Sequence, residues 1–187
     1  RLPIVPEVVD LESRQPITTG IGVLVLTELY PYAQLQLLMR YWTDDLVEVG
    51  RPCPLGGFGI AFRGRRTSSV VIDRPGRAPL IIGSLQVGEI CAELADVAVG
   101  TLSWAPWAND VGVPRFSLSS VGREVRVVIE LRYLPSLFPA QANATVDAVA
   151  DGLRRQVSGL AEAIDAREAE VVVTCVGAGQ LLDPVKV

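Results

Sequence analysis

The stretch VGREVRVVIELRYL, residues 121–134, is the clearest strand in the chain and decides how the rest is read. Val125, Val127, Ile129, Leu131 and Tyr133 recur at every second position, the period of an extended chain whose side chains alternate between two faces. Glu124, Arg126, Glu130 and Arg132 fill the intervening positions, with Val128 among them. One face therefore belongs to a core and the other mostly to solvent or a polar partner. Downstream, TVDAVADGLRRQVSGLAEAIDARE (145–168) changes period: Val146, Val149, Leu153, Val157, Leu160 and Ile164 recur every three to four residues, which predicts one long amphipathic helix. Asn143 or Thr145 is placed to cap its start, and Asp147 suits its first turn. Gly152 and Gly159 each weaken a helix by about 1 kcal/mol relative to alanine, a cost that a close approach to the sheet would explain. EVVVTCVGAG (170–179) then returns as a buried strand. The expected class is α+β, a largely antiparallel sheet packed against a long helix in the C-terminal region.

Working back toward the N-terminus, RLPIVPEVVDLESRQP carries three prolines in sixteen residues and reads as an extended arm over residues 1–16 with a short edge strand. ITTGIGVLVL is strand-like. YPYAQLQLLMRYW fits both periods, with the two-residue alternation of Ala33, Leu35, Leu37, Met39 and Tyr41 the cleaner. IAFRGRRTSSVVIDRPGRAPLIIG reads as antiparallel strands joined by turns, and EICAELADVAVG as a helix from Glu89 to about Asp96 or another strand. No repeat or composition shift marks a boundary, so residues 1–187 are expected to form a single domain with the arm attached.

Composition excludes more than it suggests. There is no histidine, which removes Ser-His-Asp and Cys-His catalysis, imidazole metal ligands and histidine pH switching. Of the 17 basic residues only Lys186 is a lysine, which argues against Schiff-base chemistry. A net charge of −4 gives no drive toward nucleic acid. No segment has the length and apolarity of a membrane span, and no basic region followed by an apolar core marks a secretion signal. Three widely spaced cysteines fit a reducing, cytoplasmic compartment better than a disulfide framework. No motif asks for a resident cofactor or a metal.

The segment from RFSLSS to VSGL, residues 115–160, resembles in its hydrophobic spacing the closing strand and helix of condensation-type acyl carrier transferases. Those enzymes depend on an active-site histidine, so no function is carried over.

The candidate binding residues are Trp107, Trp104, Tyr41, Trp42, Arg63 and Arg65. TLSWAPWAND places Trp104 and Trp107 around Pro106, which favours a fixed bend and leaves one ring for a rim or interface, Trp107 first. Arg63 and Arg65, two apart on an expected strand, would share a face and form a fork for a phosphate or carboxylate. A solvated arginine-rich hairpin paired to acids elsewhere is the simpler reading of the same residues. Asp44 and Asp45 are adjacent, so on a regular strand they point to opposite faces and make no matched pair. Cys53, between prolines and beside Arg51, is the candidate reactive thiol, while Cys91 and Cys175 read as small buried hydrophobes. The main functional expectation is a non-catalytic interaction or assembly protein that self-associates or takes a protein partner. The alternative is a small-molecule-binding protein or histidine-independent enzyme, with a pocket between sheet and helix for a small apolar or anionic ligand.

Overall fold

The computed structural model describes residues 4–29, 38–54, 57–74, 76–100 and 112–181, grouped in two compact units, Arg1–Ser68 and Ser69–Val187. The first unit is an antiparallel sheet in the order β1-β2-β3-β4, made of β1 (Ile4–Val9), β2 (Gly20–Glu28), β3 (Tyr41–Pro52) and β4 (Phe58–Arg65). Its core is aliphatic: Val8, Val9, Val23, Val25, Leu46 and Val47 are all buried. Pro6 sits within β1, on the sheet edge, where its missing N–H interrupts no central ladder. The proline-containing arm is thus hydrogen-bonded into its own sheet through β1. Gly22 permits this, because a side chain there would run into the Val9 carbonyl.

In the second unit β5 (Val70–Ile72) and β6 (Leu80–Ile82) form an antiparallel hairpin that leads into α1 (Ser84–Ala92). The segment that read as helix or strand near Glu89 is therefore helical, beginning at Ser84. A two-residue pair, β7 (Val99–Gly100) with β8 (Val113–Pro114), precedes the main sheet. That sheet runs β11-β10-β9, with β10 (Glu124–Glu130) antiparallel to β9 (Phe116–Val121) and parallel to β11 (Glu170–Val176). Between β10 and β11 come α2 (Pro139–Gln156) and α3 (Leu160–Asp165). The fold is α+β, as the alternation at 121–134 and the longer period after it implied.

The core face of β10 holds as read: Val125, Val127, Ile129 and Leu131 are buried and join Val149, Leu153, Val157 and Leu160 in one cluster. Each such side chain contributes roughly 1.5–3 kcal/mol by leaving water. The single long helix does not hold. Pro139 starts it six residues early, pre-set for the first turn, and Thr145 lies inside, its hydroxyl donating to the Gln141 carbonyl at 3.1 Å. Gly159, at φ 75°, ends the run and makes two helices of one. Gly152 is approached by Ile90 of α1 instead of by the sheet: an added Cβ would lie 2.7 Å from the Ile90 side chain. Among the described residues no helix is long and apolar enough to cross a membrane.

Candidate functional site

The first unit carries a groove of about 560 Å³ floored by Val9, Leu11 and Val25, walled by Trp42 and edged by Arg14, Arg40 and Arg66. A break in the β2–β3 register builds it. Val23 faces Leu46 and Val25 faces Trp42, so Leu24 stands opposite Thr43, Asp44 and Asp45 together. This bulge turns the strand, as extra residues do. Thr43 holds it closed, its hydroxyl donating to the Leu24 carbonyl at 2.8 Å and accepting the Asp45 N–H at 3.1 Å. Asp44, at its centre, takes a left-handed backbone, φ 65°.

Asp44 is the electrostatic centre. Its Oδ1 accepts Arg66 Nε at 2.6 Å and the Trp42 indole N–H at 3.4 Å. The Arg66 hydrogen bond, against a smaller opposing effect of burial, holds its carboxyl below the usual aspartate value. The Arg14 guanidinium lies over the Trp42 ring, 5.8 Å from its centroid. Arg40 pairs with Glu7 at 3.4 Å, and its N–H donates to Thr27 Oγ1 at 3.1 Å.

Four described non-glycine residues have positive φ; two of them, Arg14 (57°) and Arg40 (48°), line this groove, and a third, Asp44 (65°), is bonded to its Trp42 and Arg66. Such backbones cost of order 1–3 kcal/mol each and persist where neighbouring bonds fix them. Arg14 closes a turn in which Asp10 accepts the Ser13 N–H and hydroxyl, both at 2.8 Å, and the Arg14 N–H at 3.1 Å. Of the three cations, Arg40 and Arg66 have carboxylate partners. The Arg14 side chain has only the indole face among the described residues. The groove therefore offers an aromatic plane, an apolar floor and one uncompensated positive charge, a combination suited to a small anion on a planar or apolar body.

The structure distributes the sequence candidates unevenly. Trp42 lies in the groove, while Tyr41, half exposed, is its neighbour on β3. Arg63 and Arg65 each meet a carboxylate of β3: Arg63 Nε and a terminal nitrogen donate to Glu48 Oε2 at 2.9 and 2.6 Å, and Arg65 lies 3.4 Å from Asp45. Arg74 and Arg77, from the same arginine run, belong to the second unit and face Glu168. Cys53 is exposed and free. Cys91 is buried, which pushes its thiol up to about 12, and burial raises Cys175 as well. Trp104 and Trp107 lie outside the described residues. Arg14 and Arg40 escaped sequence reasoning, since isolated arginines next to turns carry no periodic signal. Among the described residues no group of three or more cysteines and acids is placed to hold a metal.

No family model matches the chain, and no curated protein matches it. Solved structures do. The chain is similar over 99% of its length, at TM-score 0.61 and 15% identity, to 35% of a 2-hydroxyisobutyryl-CoA ligase in an open conformation with 2-HIB-AMP and CoA. The same ligase in its postadenylation state with R3-HIB-AMP gives TM-score 0.55 at 13% identity, over 96% of this chain and 34% of that one. Acetoacetyl-CoA synthetase from Streptomyces lividans gives 0.54 at 14% identity, over 93% of this chain and 23% of that one. At these identities the likeness is one of fold, and the chain spans about a third or less of the proteins it matches. It nevertheless corrects the expectation of a non-catalytic assembly protein with a protein partner or a second copy, because the fold recurs inside chains named as ligases and synthetases. The physical reason lies in the arm, which could lie on its own domain or on a neighbouring subunit: its edge strand β1 is paired along its length with β2 of the same chain.

Proposed function

We propose that the chain is part of an adenylate-forming acyl-CoA ligase, and that the Trp42 groove receives the phosphate-bearing end of a ligand of that chemistry. The observation that carries this reading is the likeness over 99% of the chain to a ligase holding an acyl adenylate and CoA. The absence of histidine from this part is compatible with it. A carboxylic acid with pKa near ~4 is already ionised at neutral pH, so activating it needs no general base. The carboxylate oxygen attacks the α-phosphorus of ATP and pyrophosphate leaves; a thiolate, its proton lost to solvent, then attacks the acyl carbon and AMP leaves. Both steps put negative charge on phosphate oxygens, which guanidinium groups stabilise. In the groove Arg14, without a carboxylate partner among the described residues, is the cation for that charge and the Trp42 ring offers a face to a planar base, while Asp44, bonded to Trp42 and Arg66 at the groove's edge, is the acceptor for a sugar hydroxyl. Arg63 and Arg65 have the supporting part of fixing β3 and β4 through Glu48 and Asp45. A cytoplasmic setting belongs to the same proposal, supported by three cysteines that form no disulfide.

The test is calorimetric titration of the chain with AMP and with adenosine. AMP is expected to bind more tightly than adenosine. Arg14→Asn, which suits the left-handed backbone but lacks the guanidinium, is expected to bind AMP about tenfold more weakly with an unchanged circular dichroism spectrum. Absence of AMP binding at millimolar concentration, or equal affinity in the variant, overturns the assignment.

A further inference from the structure

The second unit has a cleft of about 490 Å³ where α2 and α3 meet the start of β11 and the β9–β10 turn. Arg123 enters it from that turn, Arg154 from α2, and Arg167 from the residue after the α3 cap. Arg167 is the fourth non-glycine residue with positive φ, 59°. Its conformation is held from both sides: its N–H donates to the Ile164 carbonyl at 2.9 Å, and its own carbonyl accepts Arg123 Nη1 at 3.1 Å. The Arg123 carbonyl in turn accepts the Glu170 N–H at 3.0 Å, so two of the three cationic corners are tied to the start of β11. Among the described residues neither Arg154 nor Arg167 has an ion-pair partner, although Asp151 and Glu170 line the same cleft. Ile164, Ala169 and Val171 supply an apolar floor.

We propose that this cleft is a second binding site, for a hydroxyl-bearing phosphate monoester. Three arginines from three segments line one cleft, and guanidinium groups recognise the oxygens of a phosphate dianion through paired N–H donors. Asp151 and Glu170 would repel a bare anion but accept hydrogen bonds from hydroxyls on the carbon body, which rests on the apolar floor. The left-handed backbone of Arg167 ends α3, with the Glu168 N–H donating to the Ala163 carbonyl at 2.8 Å, and so fixes where this arginine leaves the helix. All its residues belong to the second unit, so it stands or falls independently of the Trp42 groove.

Titration of the isotope-labelled chain with ribose 5-phosphate, inorganic phosphate and ribose, followed by amide chemical shifts, tests this. Ribose 5-phosphate is expected to move the signals of residues 122–124, 150–154 and 164–171, ribose to leave them in place, and inorganic phosphate to bind at least tenfold more weakly than the ester. Arg167→Asn, which tolerates the left-handed backbone, and Arg154→Gln, on an exposed helix face, are each expected to weaken the ester about tenfold, while Arg14→Asn leaves it unchanged. Overturning results are no shift at millimolar ester, equal affinity for inorganic phosphate, or full affinity in both cleft variants with spectra that show them folded.

Discussion

Glu130 is a buried carboxylate with enough donors around it to stay charged. Only 3% of it is exposed, and its oxygens accept the Gly179 N–H at 2.9 Å, Arg115 Nε at 3.0 Å and the Leu181 N–H at 3.2 Å. Burial alone pushes the group up, but these bonds together more than offset it and hold the carboxyl below the ordinary glutamate value of 4.5. A depressed folded pKa means that its stabilising contribution is in place above pH 4.5 and is lost as pH falls through the lower folded value. Glu130→Gln is therefore expected to cost about 2 kcal/mol in urea unfolding at pH 7, less than a fully buried pair because Arg115 is partly exposed. The variant should also lose less stability than the parent below pH 4.5. Equal acid sensitivity of the two proteins would show that Glu130 is not the titrating group. The sequence placed Glu130 on the polar face of its strand and went no further. Its partners come from the residue between β8 and β9 and from the segment after β11, distant contacts that alternation does not encode.

At the scale of elements, the period of each segment was legible and its punctuation only partly so. β10 and the amphipathic stripe of α2 followed directly from spacing. The break at Gly159 was available as a weak helix former, but that the residue adopts φ 75° depends on the turn it completes. The bulge at residues 43–45 was hidden, because TDD reads as three ordinary strand positions until the opposite strand shows one residue facing three. For that reason Asp44, whose backbone is left-handed, does not diverge from Asp45 by strand alternation. Gly152 gives the clearest test of packing between elements. Its helix is met by Ile90, which is itself buried, so the extra methyl of Gly152→Ala has no free space. Alanine in place of a helical glycine normally gains up to about 1 kcal/mol; here overpacking of roughly 1–3 kcal/mol outweighs it. A lowered thermal midpoint is expected, and a raised one would mean that α1 and α2 separate easily.

For the whole molecule, no composition shift announces the division near Ser68, yet the buried cluster around Val127 and Leu153 draws all its members from Val70 onward. That core has an unusual dependence on order in time. Its hairpins join neighbours in sequence, but β11 pairs with β10 in parallel and follows both α2 and α3 along the chain. A pairing of that kind must bear the loop-closure entropy of everything between the strands before it returns any hydrogen bonds. In refolding followed by pulsed hydrogen exchange, the amides of 125–130 are expected to gain protection against β9 first, and those of 171–176 last. Until then one edge of β10 has no partner. The second unit is thus expected to pass through a stage with an open strand edge, set by the one parallel pair among its described strands.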